Sequence, residues 1–185
     1  MYALTGTGGI GKTQLALEYA YQHETGYSAI FWVHGASASD MDLGFLNMMQ
    51  AIVHQQAKIT WPNGSPDYQI IGSKLGLFDC LAQDGSISNN PSHTKRINQA
   101  VHRWLSLPEN SNWLFIFDNV DDLKSFKFEN YIPKNSKGGR ILITSRRSDF
   151  SWIAEAAEID GLEPEAAITL LLKLASRSTN DEKGT

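Results

Sequence analysis

Gly6, Gly8, Gly9 and Gly11 crowd into six residues of the stretch TGTGGIGKTQLALEYA, residues 5–20, and Lys12 and Thr13 follow at once. Glycine weakens regular structure, so this density marks a backbone that bends sharply or approaches something closely. A cation and a hydroxyl directly behind it indicate that the something is an anion. Gly6, Gly11, Lys12 and Thr13 fit G-x-x-x-x-G-K-[ST], the spacing of a phosphate-binding loop. Successive backbone N–H groups there form a concave nest for phosphate oxygens. A helix opening near Lys12 adds its dipole and its free N–H groups. The Lys12 ammonium is expected to reach the β- and γ-phosphates of a nucleotide, and the Thr13 hydroxyl to coordinate Mg²⁺. Gly8 and Gly9 let the backbone close around the anion, and Thr7, Ile10 and Gln14 complete the nucleotide-contacting stretch. The plainer reading is a glycine-rich turn without a ligand. An accidental match in a chain of this length has a probability of roughly one in a hundred at average glycine usage, so phosphate binding is preferred.

Two further groups fit the same chemistry. Asp118 ends the apolar run WLFIF and suits the aspartate that holds Mg²⁺ through water, because Mg²⁺ keeps much of its hydration shell. An aspartate after a strand is more often a turn residue; the glycine loop upstream shifts the balance. Arg146, behind Thr144 and Ser145 in ILITSR, places a guanidinium where it can read a γ-phosphate. Its plainer reading is a surface arginine near Asp149.

These groups need elements to hold them. YALT (2–5) reads as a strand running into the glycine loop, and residues 12–23 as a helix with Leu15 and Tyr19, and Ala16 and Ala20, at four-residue spacing. SAIFWVHG (28–35) is an apolar, β-branched and aromatic run that suits a strand buried on both faces. A helix over 38–56 follows, capped by Ser39 or Asp40. Residues 60–69 are turn-rich, 70–82 read as a short helix, and 83–92 as a polar loop and the segment most prone to disorder. Ile97, Val101, Trp104 and Leu105 mark a helix from about 93 to 107 that Pro108 stops. Strands are expected at 112–122 and 138–147, and a fifth at 156–162. Pro164 opens a last helix with Ala167, Leu170, Leu171 and Leu174 on its apolar face. Strands alternating with helices give an α/β fold with a mostly parallel sheet. The glycine loop, Asp118 and Arg146 all fall at carboxyl ends of strands, the edge at which such sheets bind ligands.

Bulk properties narrow the class. The chain has 185 residues, enough for one domain, and a net charge of −4, which argues against a general nucleic-acid or anionic-membrane binder. Its one cysteine, Cys80, excludes an internal disulfide and is expected to pack as a small apolar residue in a helix. No stretch approaches the roughly 20 apolar residues of a membrane span, and no secretory signal is visible, so the cytoplasm is the expected compartment. The five histidines lack metal-ligand spacing, and the five tryptophans are expected in the core.

GTGGIGKTQLALEYA, IFWVHGAS, WLFIFDNVDD, GGRILITSR and GLEPEAAITLL occur in that order. Together they resemble the NB-ARC domain of NLR-type STAND ATPases, in the style of fungal members, over residues 1–175, with 176–185 as a polar tail. The resemblance implies a three-layer P-loop NTPase fold of the STAND/AAA+-like branch, built on five strands. It places the ILITS strand between the strand leading to the glycine loop and the strand ending at Asp118. It also implies a switch that rests with ADP, exchanges it for ATP and oligomerises. By motif position Gly6–Thr13 form the P-loop, Asp118 the Mg²⁺ aspartate and Arg146 the sensor arginine.

Two departures from that pattern matter. Many members carry a second acidic residue after the Mg²⁺ aspartate; here it is Asn119, a poorer group for activating water. Asp121 and Asp122 are the alternative carboxylates, and binding is expected ahead of slow ATP hydrolysis. The helical and winged-helix parts that should follow GLEPEAAITLLLKLA, an effector domain and sensor repeats are all missing, so the chain reads as the nucleotide-binding core of a larger protein. Competing readings are a free-standing small-molecule kinase, for which no basic lid is visible, and an incomplete fragment that binds nothing. A GTPase is disfavoured because no N-K-x-D motif follows Asp118.

Overall fold

The computed structural model describes residues 1–134 and 138–181, with side chains described as far as residue 173. Its five strands are β1 (Tyr2–Thr5), β2 (Ala29–His34), β3 (Trp113–Asp118), β4 (Arg140–Thr144) and β5 (Glu155–Glu158). They form one sheet in the order β2-β3-β4-β1-β5, and every pairing is parallel. Five α-helices connect or follow them: α1 (Lys12–Gln22), α2 (Ala38–Thr60), α3 (Tyr68–Leu75), α4 (Thr94–Leu105) and α5 (Pro164–Asp181). This is the expected α/β architecture, with β4 between β1 and β3.

The apolar strand sequences explain the layering. All six residues of β3 are buried, as a strand covered on both faces requires. Alternate residues face opposite layers. Leu114 and Ile116, with Leu142 of β4, pack against Ala16 and Ala20 of α1; the small alanines let that helix lie close to the sheet. Phe115, Phe117 and Ile143 face the larger core made with α2, α3 and α4. There the Phe115 and Phe117 rings stack at 4.2 Å between centroids, and Phe45 of α2 meets Phe115 at 5.6 Å.

Several boundaries differ from the sequence reading. The N-cap of α2 is Ser37, not Ser39 or Asp40; its Oγ accepts from Asp40 N at 3.1 Å and donates to the Asp40 carboxylate at 2.6 Å. Any of the polar residues in GASASD could cap, and the extended backbone of Ser37 decides which one does. Helix α3 starts earlier and stops sooner than expected. Asp67 caps it through Gln69 N and Ile70 N, and Gly76, at φ 76°, ends it in a left-handed turn. Cys80 is therefore outside a helix, though buried as a packed residue. Residues 83–92 are tied down rather than loose. Gln50 donates to Gly85 O and accepts from Ile87 N, Asp84 accepts from Ser86, and Leu81 bridges Ile87 antiparallel.

The fifth strand begins one residue earlier than expected and is shorter, and α5 runs on to Asp181, into the expected polar tail; residues 182–185 lie outside the described residues. The Leu174 side chain, assigned to the apolar face of α5, also lies outside them. Of the tryptophans, Trp113 is in the core, but Trp32 on the edge strand β2 and Trp152 are 38% and 52% exposed.

Candidate functional site

β1 delivers the chain to the carboxyl edge of the sheet at Thr5, and the next six residues turn into α1. Gly6, Gly9 and Gly11 have φ of 140°, 78° and 101°, a region that side chains disfavour. Gly6 has a second constraint, because a Cβ there would lie 2.7 Å from Ile159 O. Ile10 sits at the base of the loop, its Cγ2 3.6 Å from that same position and its Cδ1 3.6 Å from where a Gly161 Cβ would stand. It packs the loop against the segment after β5. Gly11 is the N-cap of α1, and no side chain caps the first-turn N–H groups, so these donors are left open to a ligand. Thr7, Gly8, Gly9, Thr13 and Gln14 are exposed in the same stretch.

Lys12 is 8% exposed, and its Nζ donates to Gly6 O and Thr7 O, both at 2.8 Å. Two of its three N–H donors thus brace the loop, and one is left for a ligand. Behind it stands a chain of hydroxyls and carboxylate. Thr13 Oγ1 donates to Asp118 Oδ1 at 2.8 Å, and Thr144 Oγ1 donates to the same oxygen at 2.6 Å. Asn119 N in turn donates to Thr144 Oγ1 at 2.9 Å. Asp118 Oδ2 has no protein hydrogen bond among the described residues. The Thr13 hydroxyl and the Asp118 carboxylate are hard oxygen donors held side by side, the donor set Mg²⁺ prefers. No group of three or more His, Cys, Asp or Glu able to hold a metal occurs among the described residues.

β4 ends beside this cluster, and its continuation brings in Arg146. Arg146 Cδ lies 3.6 Å from where a Cβ on Gly8 would stand, so its side chain lies beside the glycine loop at Gly8. Asp121 accepts from Arg146 N at 2.7 Å, and its other oxygen accepts from Arg146 Nε. Burial raises the Asp121 carboxyl, but hydrogen bonds from Arg146 and Ser145 outweigh it and leave the group below the ordinary carboxylate range. Asp122 caps a turn instead, accepting from Lys124 N and Ser125 N.

The expected residues Lys12, Thr13, Asp118 and Arg146 therefore meet on one edge. In the sequence Thr144 stands out only as one of the two residues before Arg146 in ILITSR. Its part in holding Asp118 emerges from the β3–β4 pairing, which sequence spacing does not show. Asn119 has a conformational reason to be asparagine: its φ is 64°, a left-handed position that Asn tolerates better than most residues.

The NB-ARC domain family matches residues 1–181 of this chain. The chain belongs to the NB-ARC family. It is a nucleotide-binding P-loop domain, and the loop, Asp118 and Arg146 lie at the carboxyl edge of its parallel sheet. One relative is a nucleotide-binding leucine-rich repeat (NLR)-like protein from Hyaloscypha variabilis, 27% identical over 186 residues. The alignment covers 87% of this chain and 15% of that relative, so the NB-ARC domain spans a small part of the relative's length. No described helix is long and apolar enough to cross a membrane.

Proposed function

We propose that this NB-ARC domain binds ADP and Mg-ATP and serves as the nucleotide-dependent regulatory module of an NLR-like signalling protein in the cytoplasm. The observation that carries the reading is the joint placement of Lys12, Thr13, Asp118 and Arg146 around one glycine loop. In this reading the N–H groups of residues 6–13 and the Lys12 ammonium hold the phosphates. Thr13 and Asp118 hold Mg²⁺, whose charge offsets that of the phosphates. Arg146 lies where a third phosphate would distinguish ATP from ADP.

Hydrolysis has weaker support than binding. Asn119 is not a base, Asp121 is engaged with Arg146, and Asp122 caps a turn. Domain boundaries of 1–175, with further domains beyond, are part of the same proposal. The relative is far longer than the matched segment, and apolar residues stand exposed where neighbours could cover them: Ile168, Leu170 and Leu171 on α5, and Tyr2 and Leu15 beside the sheet.

Competition of ATP, ADP and GTP against a fluorescent adenine nucleotide, with and without Mg²⁺, tests the proposal. ATP is expected to compete better with Mg²⁺ present, and Asp118→Asn is expected to remove that gain while leaving ADP binding without Mg²⁺ in place. GTP competing better than ATP, or a Mg²⁺ effect that survives Asp118→Asn, counts against it.

A further inference from the structure

Asp121 has the chemistry of a base but the surroundings of a brace. Its Oδ1 accepts from Arg146 N at 2.7 Å and stands 3.1 Å from Ser145 Oγ, while its Oδ2 accepts from Arg146 Nε. Ser145 Oγ also donates to Val120 O at 2.6 Å and accepts from Arg147 N at 3.0 Å. The turn after β3 and the turn after β4 are thereby locked together. Main-chain and side-chain nitrogens of one arginine reach the two oxygens of one carboxylate, which closes a ring and fixes the conformer of Arg146. That conformer is the one that lies beside Gly8. The Arg146 side chain is 64% exposed, whereas the Asp121 side chain is 15% exposed. The two terminal amino groups of Arg146 have no hydrogen-bond partner among the described residues. The clamp uses Nε and leaves both terminal amino groups open to an anion such as phosphate.

We propose that Asp121 is a positioning residue for nucleotide discrimination: it holds Arg146 beside the phosphate loop so that the guanidinium meets the terminal phosphate of a nucleoside triphosphate. The proposal rests on the adenine-nucleotide reading above and gives one carboxylate of that site a task other than water activation. An arginine fixed before the ligand arrives loses less side-chain freedom on binding, so the clamp strengthens triphosphate binding specifically. ADP has no phosphate at that place and is indifferent to it. A carboxylate that already accepts from several donors is also a poor general base, as its lowered pKa reflects.

The test is titration of the full chain with ADP and with a non-hydrolysable ATP analogue, in the wild type, Asp121→Asn, Arg146→Ala and the double variant. Asp121→Asn keeps the shape but replaces one accepting oxygen with a donor. It is expected to weaken the triphosphate about tenfold, in the range of a lost charge-assisted hydrogen bond, and to change ADP less than twofold. Arg146→Ala is expected to do the same, and the double variant to add nothing further. Equal losses for both nucleotides, an unchanged ratio, or additive losses in the double variant overturn the proposal. Should Asp121→Asn not fold, Arg146→Lys keeps the charge but lacks Nε. A reduced triphosphate preference is expected there, and a preserved one overturns the clamp. A wild-type chain that binds neither nucleotide overturns the adenine-nucleotide reading and the clamp with it. A chain that binds both but fails the variant tests overturns the clamp alone.

Discussion

Thr144→Val isolates the part of the site that sequence spacing does not show. Thr144 is 1% exposed, and its hydroxyl does two things at once: it donates to Asp118 Oδ1 at 2.6 Å and accepts from Asn119 N at 2.9 Å. Valine keeps the shape and removes both bonds. The first is a hydrogen bond to a charged group, worth roughly 1.5–3 kcal/mol, and the second leaves an amide without its acceptor at a cost of roughly 1–3 kcal/mol. The two losses overlap, because local shifts relieve both together, so the expected destabilisation is about 2–4 kcal/mol. For a domain of this size that corresponds to a fall in Tm of about 5–15 °C. Urea unfolding followed by tryptophan fluorescence measures it, since Trp113 is buried on the neighbouring strand. Thr13→Val is the control. It removes the other donor to the same oxygen from an exposed residue and is expected to cost less than about 1 kcal/mol. A Thr144→Val loss no larger than that of Thr13→Val refutes the claim that Thr144 holds Asp118 in place.

Other perturbations reach other parts of the account. Gly44→Ala would drive a Cβ into Val33 Cγ1, with Cγ2 at 3.0 Å, where α2 crosses β2; overpacking there is expected to cost about 1–3 kcal/mol, read as a lower midpoint in urea. Burial lowers the pKa of His102, Lys134 pushes it the same way, and a backbone hydrogen bond at Asn130 opposes them. The folded imidazole is therefore more reluctant to take a proton than the unfolded one. Stability is expected to hold above about pH 6.5 and to decline as pH falls below it, and His102→Gln is expected to flatten that decline in thermal melts.

The elements that carry chemistry were legible because each has a local cause. Three glycines of the loop sit at positive φ, β3 is apolar from Trp113 to Phe117 because both its faces are covered, and α1 shows its small residues at four-residue spacing. What the sequence did not reveal depends on partners distant in the chain. Thr144 meets Asp118 only because β4 pairs with β3, and Asp121 meets Arg146 for the same reason. The loop after α3 looks unstructured by composition, yet Gln50 of α2 pins it through two main-chain bonds. Gly76 ends α3 by adopting a left-handed turn, and a glycine among apolar residues does not announce whether it will do so.

The central claim, that the glycine loop of this NB-ARC domain binds an adenine nucleotide through Lys12, is tested most directly by calorimetric titration of the wild-type chain and Lys12→Ala with Mg-ATP, ADP and GTP. Saturable binding of ATP and ADP, weaker binding of GTP and loss of all three in a folded Lys12→Ala variant are predicted. Adenine-nucleotide binding that survives Lys12→Ala, or a folded wild-type chain that binds none of the three, would contradict it.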